Sequence, residues 1–353
     1  MNRLLPLADR LVEPSLRLLA AINVLFLASF CLVLLLATGK ARAEDAASCG
    51  GKDLLSEITP AEAETIKAAA DATLNGKGTL WKIEKAGLEP SWLFGTMHMT
   101  DPRVSTLSAK AQSAYESTRT IVIETTDVLD ERKMMSELGK EPELMMFTDG
   151  STLTSKLSAE DAKALEAGLQ ERGIPIAAVA KMKPWMLIAM VALPACEMAR
   201  KASGAPVLDA KLALEAQADG KTVAGLETAS EQLRAMASLP MEFHIRGLVD
   251  TLKLGDRMDD VLETMIVLYE REEIGMFWPL LEASLGEAAG PGGDYTEFEQ
   301  TMIVQRNHVM ADRSEPILSK GSAFIAVGAL HLPGQEGFIE LLRAKGFTLT
   351  RAQ

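Results

Sequence analysis

Two of the four histidines in the chain close the same short phrase. Ser91-Trp92-Leu93-Phe94-Gly95-Thr96-Met97-His98 and Ala323-Phe324-Ile325-Ala326-Val327-Gly328-Ala329-Leu330-His331 each read as an apolar β-run, a glycine, two residues and a histidine. With 26 glycines among 353 residues, composition is a poor account of two such hits. Glutamates hold the matching place in two other short runs, Thr120-Ile121-Val122-Ile123-Glu124-Thr125 and Lys221-Thr222-Val223-Ala224-Gly225-Leu226-Glu227-Thr228. In an open α/β sheet, chemistry collects outside the carboxyl ends of the strands. Two imidazoles and two carboxylates brought together there could hold a divalent metal beside an activated water. The candidate ligands are therefore His98, Glu124, Glu227 and His331, although spacing alone does not make them converge.

Each candidate also has an ordinary reading. A strand-end histidine can simply be satisfied by a nearby carbonyl, and Glu227 can be the acid of a helix N-terminus. Glu124 is harder to dismiss, because a carboxylate directly after Ile121-Val122-Ile123 needs a cation or hydrogen bonds. Arg306 and Asn307 fall in an expected helix. Arg306 could neutralise a carboxylate or hold a substrate oxyanion, and Asn307 could orient a water; the plain alternative is a solvated patch. His244 and His308 have no supporting pattern and read as structural, while Asp127 and Asp209 read as turn or cap residues. The chain has no Gly-x-Ser-x-Gly elbow, no His-Glu-x-x-His helix and no Walker loop, which removes the commonest serine hydrolase, zincin and nucleotide readings.

The elements that must position these residues follow from local signals. Thr59-Pro60 opens a helix to about residue 75. Strands are expected over Thr79 to Glu84, Ser91 to Thr96 and Thr120 to Glu124, with a helix over Val104 to Ser117 making a βαβ unit. Ser158 caps a helix to about Arg172 with an acidic residue at N3. Ile174 to Lys201 is apolar but broken by Pro184 and Pro194 into two or three pieces. Asp209 to Ala218 is a helix stopped by Gly220, and the strand Lys221 to Glu227 follows. Some 90 residues of helix run on to about Ser319, judged by apolar periodicity, with a loop at Gly286 to Gly293 and Met258, Met265 and Met276 as core filler. A strand at Ser322 to Val327, a helix at Gln335 to Lys345 capped by Gly346, and a last strand at Phe347 to Thr350 close the chain. The expected class is α/β, or α+β: two sheet-forming ends around a helical insert over about 150–320, each end carrying one Gly-x-x-His.

The N-terminus reads as a targeting segment. Arg3, Arg10 and Arg17 precede an apolar stretch from about Leu18 to Ala37, and Ala41-Arg42-Ala43 is an A-x-A boundary. Residues 1–43 are expected to be a cleaved secretory signal or, given the length of the apolar run, a retained membrane anchor. The chain carries a formal charge of −13, and losing this basic segment makes the remainder still more acidic. That argues against nucleic acid and against docking on anionic lipid; membrane contact is expected only through the anchor. Cys49 and Cys196 are the cysteines left after processing, and an even pair in an oxidising compartment is expected to form a disulfide.

The motifs taken together resemble the TraB/GumN family, which includes the Tiki membrane proteases. The matching stretches are Leu93 to His98, Val122-Ile123-Glu124, Leu208-Asp209, Gly225 to Thr228 with Gln232-Leu233, Arg306-Asn307, and Val327 to Gly334 leading to Gly346-Phe347. They are short, numerous and correctly ordered over about residues 78–350. The resemblance implies a fold like the erythromycin-esterase and ChaN-like group, and divalent-metal-dependent proteolysis using both Gly-x-x-His motifs and a glutamate. It points to His98, Glu124 and His331, with Glu227, Arg306 and Asn307 in support, and to Mn²⁺ or Co²⁺; mixed N/O ligands equally allow Zn²⁺. The leading expectation is an exported, periplasmic or extracellular, metal-dependent hydrolase acting on a peptide or small-molecule substrate. One glutamate would serve as general base and Arg306, at the rim of a shared cleft, would stabilise developing negative charge. The other expectation is a non-catalytic protein that captures a small ligand, haem or a peptide signal in the same place.

Overall fold

In the computed structural model, residues 49–285 and 293–352 are described. The signal or anchor reading of residues 1–43 and most of the expected Gly286–Gly293 loop lie outside them. Gly293 itself opens a helix to Glu299. Among the described residues no helix is long and apolar enough to cross a membrane.

Six strands form one mixed sheet: β1 (Leu80–Glu84), β2 (Ser91–Thr96), β3 (Thr120–Thr125), β4 (Thr222–Glu227), β5 (Ala323–Gly328) and β6 (Thr348–Arg351), in the order β4-β3-β5-β2-β1-β6. The class is α/β, as the sequence implied. β4, β3, β5 and β2 run parallel, so their carboxyl ends share one edge, and β1 and β6 add an antiparallel flank. The two Gly-x-x-His strands are hydrogen-bonded neighbours, with Gly95 opposite Val327 and Thr96 opposite Gly328. β2 and β3, expected as consecutive strands of a βαβ unit, are instead parted by β5, which arrives some 200 residues later and inserts between them.

The central strands β2, β3 and β5 are apolar on both faces because helices cover both. Alternate residues sort into two clusters. Val122, Ile325, Val327 and Leu93 pack with Met310, Ala311 and Leu318 of the helix Gln305–Leu318 and with Phe338 and Leu342 of the helix Phe338–Ala344. Ile121, Ile123, Phe324, Ala326 and Phe94 pack with Ala111 and Tyr115 of the helix Ala109–Glu116 and with Leu208 and Leu212 of the helix Leu208–Ala218. The period of two fixes which helix each strand-end residue meets. Glu124 shares the face of Val122 and meets the Gln305–Leu318 helix; Thr96 shares the face of Phe94 and meets the Leu208–Ala218 helix.

The remaining helices follow their end signals. Thr59 and Glu62 make a capping box for the helix Pro60–Ala72, and Ser158 caps Ala159–Glu171. The proline-broken stretch is three helices, Ile176–Val179, Pro184–Val191 and Ala195–Ala202, with Pro184 at the first position of the second and Pro194 as N-cap of the third. Gly220 follows its helix with φ of 70° and Gly346 with φ of 81°, conformations that glycine adopts without strain. Cys49 and Cys196 are joined in a disulfide with Cα atoms 5.6 Å apart.

Candidate functional site

Four acidic or imidazole side chains meet at the shared carboxyl edge of β2, β3 and β5. His98 Nε2 lies 3.8 Å from Glu124 Oε1 and 3.7 Å from Asp209 Oδ2, and His331 Nε2 lies 3.7 Å from the same Glu124 oxygen. The backbone explains the approach. After β2 the chain reverses tightly at His98, where the Met99 amide donates to the Met97 carbonyl. After β5 it enters a short 3₁₀ turn, Ala329–His331, that carries His331 back over the edge. Both glycines are needed for contact. A Cβ on Gly95 would stand 3.0 Å from the Ala329 Cα, and one on Gly328 would fall 3.2 Å from Glu124 Oε1 and 3.8 Å from the His98 ring.

Asp209 was read as a cap, and the structure corrects that reading. It lies in the first turn of the helix Leu208–Ala218, is buried, and caps nothing. Thr96 Oγ1 donates to its Oδ1 at 3.0 Å, while Oδ2 is buried without a hydrogen-bond partner. An acid near a helix N-terminus is common enough to hide this role in the sequence. The available signal was the Leu208-Asp209 stretch among the motifs that carry the family resemblance.

Glu124 is the hub. Its Oε1 accepts the Gly328 amide at 2.7 Å, and its Oε2 accepts Arg306 Nη2 at 2.7 Å and Gln232 Nε2 at 3.1 Å. Burial alone would raise its pKa, but the two histidines, Arg306 and the Gly328 amide overcome that and hold it at about 2. His331 is buried, and desolvation brings its pKa down to about 4 despite the nearby Glu124, so its ring is neutral at pH 7. His98 is half-exposed. Desolvation works against its charged form, but Asp209 and then Glu124 outweigh it and raise its pKa to about 9, an effect that the solvent opening softens.

Glu227 and Asn307 are close by but differently engaged. Arg306 Nε and Nη2 grip both Glu227 oxygens at 2.7–3.2 Å, Gln232 adds a contact at 3.4 Å, and Glu227 makes no contact with either histidine. Arg306 thus bridges two carboxylates from a mostly buried position, not from a rim. A π turn, Gln300–Val304, immediately precedes its helix, and Arg306 Nη1 donates back to the Met302 carbonyl at 3.1 Å. Asn307 is fully buried. Its amide nitrogen donates to the Glu336 carbonyl at 2.9 Å, which turns its oxygen to His331 Nδ1 at 2.7 Å. Nδ1 must then carry the proton, leaving the Nε2 lone pair facing the site. Asn307 orients a ring, not a water.

Gln232 was not among the sequence candidates as a site residue. It sits in the first turn of the helix Ala229–Ser238, which Thr228 and Glu231 open with a capping box. His244, bonded to the Met236 carbonyl against the Trp185 ring, and exposed His308, beside Glu336, stand apart from the cluster. Asp127 does cap: its Oδ2 accepts the Ala229 amide at 2.8 Å.

Among the described residues no group of three or more His, Cys, Asp or Glu side chains stands, as placed, in a geometry that could hold a metal ion. The chemistry of the donors and their pairwise spacing nevertheless approach what a cation needs. Contacts of 3.7–3.8 Å are too long for hydrogen bonds, and they are close to the ligand–ligand spacing of roughly 3.4 Å expected around an ion bound at about 2.1 Å. An orphaned, buried carboxylate oxygen facing an imidazole is the group a cation would satisfy.

An α/β protein with two Gly-x-x-His strands side by side and acids on both faces of one sheet edge is a well-defined class. The chain belongs to the TraB/PrgY/gumN family, whose model matches residues 79–351. It is also similar to a metalloprotease TIKI homolog of Nematostella vectensis, at 22% identity over 323 residues, covering 77% of this chain and 66% of that protein. The chain thus spans just under two thirds of that relative's length. No solved structure matches it.

Proposed function

We propose that the chain is an exported, divalent-metal-dependent hydrolase, a peptidase in the first instance. The observation that carries this is the unpartnered Asp209 Oδ2 buried opposite His98 Nε2, in the cluster that Glu124 joins to His331. The similarity to a protein named as a metalloprotease supports the reaction, and the disulfide supports an oxidising, exported setting. His98, His331, Asp209 and Glu124 would hold the ion. The ion supplies Lewis acidity and a water acidic enough to attack at neutral pH. The protein's own contribution is to prepare the donors: Asn307 fixes the His331 tautomer, Thr96 aims Asp209, and Arg306 with Gln232 and the Gly328 amide keeps Glu124 ionised. Glu227 anchors Arg306 between the two carboxylates. In peptide hydrolysis, water adds to the carbonyl carbon, the C–N bond breaks, and the leaving amine takes a proton.

The chain purified from the exported fraction, stripped and then titrated with Mn²⁺, Co²⁺ and Zn²⁺, should bind one ion and cleave members of a mixed peptide library. His98→Ala and His331→Ala should each abolish both. If neither substitution alters metal content or hydrolysis, the proposal fails. Stoichiometric capture of a peptide or of haem, without turnover in any metal, would replace hydrolysis by binding.

A further inference from the structure

At Leu330, one residue along the chain from His331, opens an apolar pocket of about 230 Å³. Met265, Phe277, Trp278, Phe243, Phe298 and Leu330 form its walls, and no polar atom faces it. Phe298 stacks on Phe243 at 5.7 Å between ring centroids and meets Trp278 edge-on at 6.0 Å. Leu330 ties the pocket to the chemistry, because it is the residue directly before His331 in the second Gly-x-x-His phrase. It also packs in the cluster that holds Met97, the residue directly before His98. Trp278, Leu330 and Phe298 are only partly covered by the protein's own atoms. Aromatic surface left partly open around Leu330, one residue from His331, favours an apolar group of the molecule being processed.

We infer that this pocket is a specificity subsite that takes one large apolar side chain, leucine or phenylalanine, of a peptide whose scissile bond lies at the His98–His331 cluster. The volume is below the ~300 Å³ lower end of drug-sized pockets and suits a single side chain rather than a cofactor. The inference rests on the peptidase reading and deepens it by naming the substrate class.

The test uses the full chain and capped tetrapeptides that are identical except for Ala, Leu or Phe swept through each position. Binding is read by titration on the His98→Ala protein, and turnover on the unsubstituted protein with metal. At one position, Leu or Phe should bind and react at least about tenfold better than Ala, the discrimination expected for burying several methylenes. Trp278→Ala should erase that preference. Phe298→Ala, at a half-buried position, should reduce it if the tryptophan variant does not fold. Equal handling of Ala, Leu and Phe at every position overturns the subsite even if hydrolysis is confirmed, as does a preference that survives both substitutions. Discrimination in binding without any turnover keeps the subsite and sinks the peptidase reading, whereas peptides neither bound nor cut sink both. Concentration-dependent dimerisation that Phe298→Ala abolishes would give the pocket to a second copy and also overturn the assignment.

Discussion

At Asp209 the protein keeps a carboxylate oxygen in its interior without a hydrogen bond, facing the His98 ring at 3.7 Å, a state that costs free energy and that a cation would relieve. Asp209→Asn removes the charge and keeps the shape. Without metal, the variant loses the unmet oxygen but also the attraction to His98, so its stability should stay within about 1 kcal/mol of the parent's. Metal affinity should fall at least about tenfold, since a neutral amide is a poorer donor to a divalent ion. Thermal melts with and without metal, alongside metal titration, check both halves; a variant less stable and equally metal-binding would assign Asp209 a structural role. Asn307→Ala tests positioning instead. It deprives His331 Nδ1–H of its acceptor and should cost about 10- to 100-fold in metal affinity without removing any ligand. Restoration by Asn307→Gln is not expected, because a longer amide cannot reach both the Glu336 carbonyl and the ring. Residues of this kind show how far the sequence could be read. His98, His331 and Glu124 were visible because a repeated phrase and an acid after an apolar run are patterns along the chain. Asp209 and Gln232 reach the site from helices, where an acid or amide in a first turn looks like a cap.

At the scale of elements, all six strands were legible: the central ones as short apolar runs covered on both faces, the edge strands β4 and β6 as short β-branched runs that follow the turns at Gly220 and Gly346. Their order was not legible. β5 threads between β2 and β3, and only its pairing with distant strands shows this. The helix Ala229–Ser238 offers a test of element docking. Glu231 caps it through the Thr228 amide and also takes both Nη groups of Arg313 from the Gln305–Leu318 helix, while Arg313 reaches the Leu226 carbonyl at the end of β4. Foremost the Arg313 hydrogen bonds, and with them the cap, hold the Glu231 pKa at about 2 against 4.5 ordinarily, a small burial effect opposing. The folded form therefore gives up this proton more readily than the unfolded chain does. Stability from the pair is complete above pH 4.5 and is lost as pH falls toward 2. Because the side chain is about one-third exposed, solvent screening limits the effect to about 1 kcal/mol. Urea unfolding should show Glu231→Gln less stable than the parent at neutral pH, with the gap closing under acid. A gap that widens toward low pH would contradict the assignment.

At the scale of the whole molecule, the disulfide joins the segment before the family-matched region to the helical middle, closing a separation of 147 residues. A cross-link over so long a loop is expected to stabilise by about 2–5 kcal/mol, chiefly by restricting the unfolded chain. Its surroundings give it a second consequence. Cys196 is the second residue of the helix Ala195–Ala202, whose Glu197 is fully buried and accepts the Thr100 amide at 2.7 Å and the Thr100 hydroxyl at 2.8 Å, two residues beyond His98. Arg200 binds Glu197 and Thr100 and donates to Cys49 Sγ, and Arg103 joins Asp101 to Glu263. A buried carboxylate this fully bonded holds its partners in place, so a helix tethered by the disulfide in turn tethers the His98 turn. Cys196→Ser should therefore do more than lower the melting temperature by roughly 3–8 °C, the range those free energies imply for a domain of this size. Hydrogen exchange at the Thr100 amide should accelerate in the folded protein, and metal affinity should fall, although no ligand has been touched. Glu197→Gln, with the disulfide intact, should reproduce the local loosening with a different loss of global stability. Unchanged exchange at Thr100 and unchanged metal affinity in Cys196→Ser would confine the disulfide to stabilising the chain as a whole.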